Sequence, residues 1–200
     1  MTRYILAGTG QTVTLDPSAV LGSGGEATVF RLPPAIAVGG VSPLAGKIYH
    51  DPNPAYASKL KAFLGQGFSL PPEVLAPLDL LLGYSDQATR GFVMGLLAAG
   101  FQPFEHLMSR KLRDAQALTT RDVVEIYIPL YSLISSLHPK LIIGDINPFN
   151  VHYRLRGAAL TDVDSIQFGL FPCPVATVRC LEPRLYGVDL SQRPVFIPND

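Results

Sequence analysis

The 200-residue chain is 48% hydrophobic and 16% charged, and its 16 Lys and Arg balance 16 Asp and Glu to a formal net charge of zero. That apolar content excludes a disordered tail as the main content and allows one large domain or two small lobes with a real core. The charge balance leaves no basic field for a nucleic-acid or membrane partner, and no stretch reaches the roughly 20 apolar residues that span a bilayer.

The N-terminal stretch MTRYILAGTGQTVTLDPS lacks the long apolar core of a signal peptide. Two cysteines, Cys173 and Cys180, are too few for a disulfide framework and lack zinc-site partners at the usual spacings. They read as ordinary thiols of a cytoplasmic protein.

Along the chain, QTVTL and ATVFRL are strand-like segments separated by the Gly-rich LGSGGE, and LAGKIYH is a third short strand entered through a Gly/Pro-rich loop. Pro54 suits a first helical position; Tyr56, Leu60, Phe63 and Leu64 then follow helical spacing until GQG ends the helix. LDLLLGY and RGFVMGLL read as a further strand pair. PFEHLMSRKLRDAQ and TTRDVVEIYIPLYSLISSLH read as helices, the second kinked at Pro129, with Tyr127 and Tyr131 one turn apart in the core. IIGDINPFN follows, then a hairpin VHYRLRGAALTDV turned at Arg156-Gly157, then an irregular tail. The order is a mostly β lobe, a helix, more strands, and a mostly helical lobe, with no internal repeat.

The Gly-rich stretch supports several readings. Gly22-x-Gly24-x-x-Ala27 fits a dinucleotide fingerprint, but that motif must open a helix, and here Thr28, Val29 and Phe30 continue as a strand. A Walker A loop fails because Gly40 is one residue too far upstream of Gly46-Lys47 and Ile48 replaces the magnesium-binding Ser or Thr. An ordinary hairpin turn remains open. So does a hairpin that lies over a triphosphate, with glycine backbone N–H groups offered to phosphate, Lys47 as the cation, and Val29 and Ala45 facing an adenine.

GDINPFN and LTDVDS carry the second half of that chemistry. Phosphoryl transfer needs a carboxylate to orient the attacking hydroxyl and accept its proton, and oxygen ligands for Mg²⁺; Asp145, Asn150 and Asp162 are of those types on loops that a hairpin can bring together. Taken singly, Asp145, Asn147 and Asn150 would also suit Asx turns, and Asp162 a strand end.

Together these motifs resemble a protein kinase, particularly a bacterial eukaryotic-like Ser/Thr kinase of the branch associated with tellurite-resistance-type operons. LGSGGEATVF resembles its Gly-rich loop, LAGKIYH its lysine strand, GFVMGLL the strand into its hinge, GDINPFN its catalytic loop, DVD its metal loop and CPVATVRCLEPRLYG the end of its activation segment. The resemblance implies an α+β, two-lobe fold: an antiparallel β small lobe over residues 1–96 and an incomplete, mainly helical large lobe over 97–200. It implies ATP and Mg²⁺ as cofactors. Leu21, Gly22, Gly24, Gly25, Val29, Ala45, Lys47, Met94 (the gatekeeper) and Leu96 would meet the nucleotide. Asp145 would be the base, Asn150 and Asp162 the metal ligands, and Thr177 the substrate-positioning threonine.

Several positions depart from that pattern. Gly144 stands where many kinases have Arg, Asn147 replaces the catalytic-loop lysine, and Asp164 replaces a glycine, leaving Asp162 and Asp164 as rival ligands. The helix after Lys47 has no glutamate to hold that lysine, for which Glu26 or Glu73 would have to substitute, and Arg184 stands in the place of a glutamate. Asp200 falls where the long central helix of a large lobe begins.

The function expected is transfer of the ATP γ-phosphate to a hydroxyl of a protein substrate. A pseudokinase scaffold and a small-molecule kinase of the aminoglycoside or choline type are the alternatives; VATVRCLEP favours the protein kinase over the latter. His50, His106, His138 and His152 show no metal spacing and read as packing or surface residues. A large lobe without its last helices would expose apolar surface. The expected outcome is marginal stability or association through that face, and a well-behaved monomer throughout sedimentation would count against it.

Overall fold

The computed structural model describes residues 1–138, 140–192 and 194. The chain divides into two compact units, Met1–Leu96 and Leu97–Asp200.

The first unit is built on β1 (Thr2–Leu6), β2 (Thr12–Leu15), β3 (Val20–Ser23), β4 (Ala27–Arg31), β5 (Leu44–Tyr49), β6 (Asp79–Gly83) and β7 (Thr89–Gly95), with one helix, α1 (Pro54–Gln66). The strands form a single sheet in the order β2-β1-β6-β7-β5-β4-β3, each pair antiparallel. Strand β5 lies inside it, with β4 on one side and β7 on the other.

The pleat sends alternate side chains of β5 to opposite faces. Leu44 and Ile48 join a core of Leu6, Val13, Leu15, Leu32, Ile36, Leu81 and Val93. Gly46 lies under that core: a Cβ there would come within 3.0 Å of Leu81 and 3.1 Å of Leu32. The other face carries Ala45, Lys47 and Tyr49, lined up by register with Met94, Phe92 and Ala27. Helix α1 packs on β6 and β7, with Tyr56 stacked on Tyr49 at 5.4 Å between ring centroids and Leu60 and Phe63 buried. Its ends follow from local chemistry. The Asn53 side chain accepts from the Ala55 N–H, Pro54 opens the first turn, and Gly67 closes the last one with φ 63°.

The second unit contains β8 (Gln102–Pro103), α2 (Glu105–Met108), α3 (Arg110–Ala115), α4 (Thr120–Leu137), β9 (Val151–Arg154) and β10 (Gly157–Leu160). Its small sheet runs β10-β9-β8. Helix α4 starts at a reciprocal cap between Thr119 and Asp122 and packs on β10, burying Ile126, Leu130 and Leu137. The fold class is α+β, as expected.

Four local expectations are corrected. The helix expected from Pro103 breaks at Ser109, whose extended backbone lets its hydroxyl oxygen accept from the Leu112 N–H and cap α3. The hairpin turns on Leu155-Arg156, with Arg156 at φ 60°, because Gly157 pairs with Arg154 in the ladder. Gly157 lacks a side chain for a different reason: a Cβ there would lie 2.9 Å from the Arg154 side chain. Tyr127 and Tyr131 are not core; they are 51% and 75% exposed, on an α4 stripe with the exposed Val124 and Ile128. The N-terminal residues, read only as a non-signal stretch, form β1, and the segment entering the Gly-rich loop is itself strand β3. Pro129 does lie inside α4, and Asp200 falls outside the described residues.

Gly91 faces the tightest contact of the sheet, since a Cβ there would sit 1.9 Å from the Lys47 carbonyl oxygen. Gly91→Ala must therefore separate β5 from β7. A loss of about 3 kcal/mol is expected, read as a lower urea midpoint at unchanged slope.

Candidate active site

In the first unit, the expected nucleotide-facing residues divide between a sheet face and an exposed hairpin. Val29 pairs with Lys47 and Lys47 with Phe92, while Ala45 pairs with Met94, so Val29, Ala45, Lys47 and Met94 share one face. Lys47 is buried, its ammonium 5.7 Å from the Tyr49 ring centroid and 5.9 Å from that of Phe92. Leu96, just past β7, donates its N–H to the Pro43 carbonyl.

Leu21 to Glu26 are all exposed at the β3–β4 hairpin. A Cβ at Gly22, Gly24 or Gly25 would meet nothing within 4 Å, and none of them has a positive φ. Neither crowding within the unit nor a left-handed backbone calls for glycine there. Close approach of the backbone by a ligand and, at Gly22, the irregular pairing of β3 with β4 are physical reasons for glycine there. Glu26 and Glu73 both lie outside α1, and the α1 side chain buried between Tyr56 and Leu60 in sequence is a lysine, Lys59.

In the second unit, the β9–β10 hairpin sets the loops together. Val151 pairs with Leu160, which brings the residues flanking the hairpin side by side, and the Thr161 N–H donates to the Asn150 carbonyl at 2.8 Å. Farther along, Ile142 and Gln167 exchange backbone hydrogen bonds of 2.9 and 2.8 Å. Asp145 and Asn150 on one loop and Asp162 and Asp164 on the other are thus held between two backbone ties.

Asp145 is the acceptor at the centre of its loop. Its Oδ2 accepts from Asn147 Nδ2 at 2.9 Å and Asn150 Nδ2 at 3.1 Å, and its Oδ1 accepts from the Thr177 N–H at 2.7 Å. Asn147, buried, also accepts from the Phe149 and Asn150 N–H groups at 2.9 and 3.2 Å. The residue that stands in the place of a lysine therefore shapes the loop instead of supplying charge. Thr177 is brought to Asp145 through its backbone.

Asp162 adopts φ 53°, ψ 35°, a left-handed conformation uncommon outside glycine. Such backbone persists where the surroundings over-determine it, and it clusters at functional sites. Because the Asn150 amide nitrogen bonds to Asp145, its Oδ1 is the end left to face a cation. Among the described residues no group of three or more His, Cys, Asp or Glu could hold a metal ion. Asn150 and Asp162 are oxygen donors of the kind Mg²⁺ takes, one or two at a time, where phosphate and water fill the rest of its shell.

His152, assigned to packing or surface from the sequence, sits on β9 close enough to Asp162 for the two to interact electrically. Burial pushes its imidazole below the ordinary histidine range, and the Asp162 carboxylate pulls the other way. A cavity of about 710 Å³ is lined in part by Met108, Pro148, Phe149, Thr177, Val178 and Cys180. Arg184, in the place of a glutamate, pairs on the surface with Glu182. The ties made by Thr161 and Gln167 had no signal in the sequence, since both are backbone bonds.

The chain matches no protein-family model and no curated protein. Among solved structures it is similar to a ROP18 kinase domain in complex with AMP-PNP and sucrose. That match has 18% identity and a TM-score of 0.56, covering 88% of this chain and 58% of that one. It is also similar to a Toxoplasma gondii specific rhoptry antigen kinase domain, with 14% identity and a TM-score of 0.62, covering 98% of this chain and 64% of that one. These likenesses show the fold: the chain has the protein-kinase fold, and it spans about three fifths of the length of the kinase domains it matches.

Asn147→Ala removes the acceptor for two backbone N–H groups and one donor to Asp145. The expected cost is about 1–3 kcal/mol, measured by chemical denaturation, with faster hydrogen exchange at the Phe149 and Asn150 amides.

Proposed function

We propose that the chain carries the phosphotransferase site of a protein Ser/Thr kinase, transferring the γ-phosphate of ATP to a protein hydroxyl with Mg²⁺. The observation that carries this reading is the Asp145–Asn150–Asp162 loop system, tied at both ends and with Asp162 held in a left-handed backbone. It is supported by the buried Lys47 sharing a sheet face with Val29, Ala45 and Met94. The similar ROP18 kinase domain is in complex with AMP-PNP, an ATP analogue, which is consistent with a nucleotide site in this fold.

In this reading Gly22 and Gly25 offer backbone N–H groups to the phosphates, the Gly24 N–H being taken by the Ala27 carbonyl, and Lys47 balances the phosphate charge. Leu21, Val29, Ala45, Met94 and Leu96 enclose the adenine. Asn150 and Asp162, with Asp164 as the rival ligand, would hold Mg²⁺, which would supply charge neutralisation to the phosphates. Asp145 orients the acceptor hydroxyl and takes its proton, while Asn147 and the Thr177 backbone hold that carboxylate in place. The cavity lined in part by Thr177 is of a size that binding pockets commonly have, which supports an acceptor site beside that residue. The bacterial tellurite-associated branch and a cytoplasmic location belong to the same proposal.

A second reading, a pseudokinase scaffold, is favoured by one observation: α1 has no glutamate and buries Lys59 instead. Calorimetric titration of MgATP into the chain, Lys47→Ala and Asp162→Ala separates the two. Saturable binding lost in both variants is expected, with about 2.7 kcal/mol of stabilisation of the parent chain at a hundredfold excess over Kd. Asp145→Asn should retain binding and lose transfer to protein acceptors. A folded chain that gains nothing from MgATP would leave the scaffold reading in place, and transfer to small alcohols or aminoglycosides alone would point to the small-molecule class.

A further inference from the structure

The Gly-rich hairpin raises a physical problem. Its tip is exposed from Leu21 to Glu26, and a Cβ at any of its three glycines would meet nothing within 4 Å. Glycine-rich backbone loses more freedom on ordering than any other, so phosphate binding by a loose hairpin would carry that ordering cost.

One side chain outside the hairpin addresses it. His50 directly follows β5, three positions after Lys47, and its ring bridges the hairpin. Nδ1 lies 3.1 Å from the Gly25 carbonyl oxygen and Nε2 lies 2.9 Å from Thr28 Oγ1. The His50 backbone N–H adds a bond of 2.9 Å to the Glu26 carbonyl. A carbonyl can only accept, so Nδ1 carries a proton. With a neutral ring, Nε2 then accepts from the Thr28 hydroxyl, whose oxygen accepts from Ser23 Oγ 2.9 Å away. One unbroken run of donors passes from Ser23 on β3 through Thr28 on β4 to His50 and back to Gly25. It staples both strands and the tip to the strand that carries Lys47.

We propose that His50 is a positioning residue for the phosphates of the nucleotide: it fixes the height of the Gly-rich loop relative to Lys47 and so raises affinity for the triphosphate. This rests on the nucleotide reading above. These bonds are exposed and each is worth little to global stability, so the effect falls on loop order and phosphate affinity. A purely structural role would instead lower the melting temperature and leave the balance between phosphate and base binding unchanged.

The test compares the parent chain with His50→Ala, Thr28→Val and His50→Asn, the last keeping an amide donor where Nδ1 sits. Three quantities are read: hydrogen exchange of the amides at 22–28 without ligand, Kd for MgATP, and Kd for adenosine, which has no phosphates. Expected for His50→Ala are faster loop exchange, about a tenfold rise in Kd for MgATP, an unchanged Kd for adenosine and a melting temperature close to that of the parent. Thr28→Val should lose less, and His50→Asn should recover part of the MgATP affinity. Unchanged loop exchange in His50→Ala would overturn the tether, and an equal weakening of MgATP and adenosine would overturn its action on the phosphates. If the parent binds no nucleotide, the nucleotide reading and the phosphate half of this inference fall together, while loop exchange still decides the tether.

Discussion

Strand β5 has to be buried on both faces, and the first unit is organised around that constraint. One face of the strand joins the apolar core through Leu44 and Ile48; the other carries Lys47 among Tyr49, Phe92 and Met94. Neighbouring strands must pair on both sides of it, which leaves β3 and β4 as the far edge and their glycine tip in solvent. Gly91 shows how closely the pairing is set, since the adjacent strand approaches within the space of a single methyl group. The same pairing that buries the lysine also fixes which side chains surround it.

The second unit meets a different constraint: irregular loops must satisfy their backbone groups without a ladder. The β9–β10 hairpin gives the loops a common base, and the Asn150–Thr161 and Ile142–Gln167 bonds close them. Inside that frame Asn147 takes up the N–H groups of its own loop and donates to Asp145, so one buried amide both shapes the turn and aims the carboxylate. The positive φ at Asp162 is held by the same frame. Asx-turn chemistry and a reactive constellation, which compete as explanations of this stretch when it is read alone, coexist in it: the amide makes the turn and the acids are what it presents.

The departures from a kinase pattern acquire physical content here. Asn147, in the place of a lysine, acts as structure. Lys59 is buried on the helix where a glutamate was expected, so the charge pattern around the lysine strand differs from the expected one. Histidines regarded as ordinary turn out to differ from one another. His50 bridges the Gly-rich hairpin, while His152 is partly buried and feels the charge of the Asp162 carboxylate.

The sequence by itself determined the kinase fold, most of the elements and the chemistry-bearing residues, because these are written in short-range pattern. Alternation marks β4 and β5, Asn53-Pro54 and Gly67 bound α1, and the spacing of Asp145, Asn150 and Asp162 implies a hairpin between two loops. What it could not show depends on partners distant along the chain. Helix α4 has apolar residues on two faces, and only the packing of Ile126, Leu130 and Leu137 left Tyr127 and Tyr131 in solvent. Ser109 breaks a helical pattern because capping α3 competes with continuing α2, a choice that periodicity does not register. Gly157 marks a close approach by Arg154 and not the turn itself. The role of His50 exists only because antiparallel pairing brings residue 50 beside residues 25 and 28. Local pattern is encoded residue by residue, whereas which face is covered and which loop is tied are decided by contacts that form only when the whole unit closes.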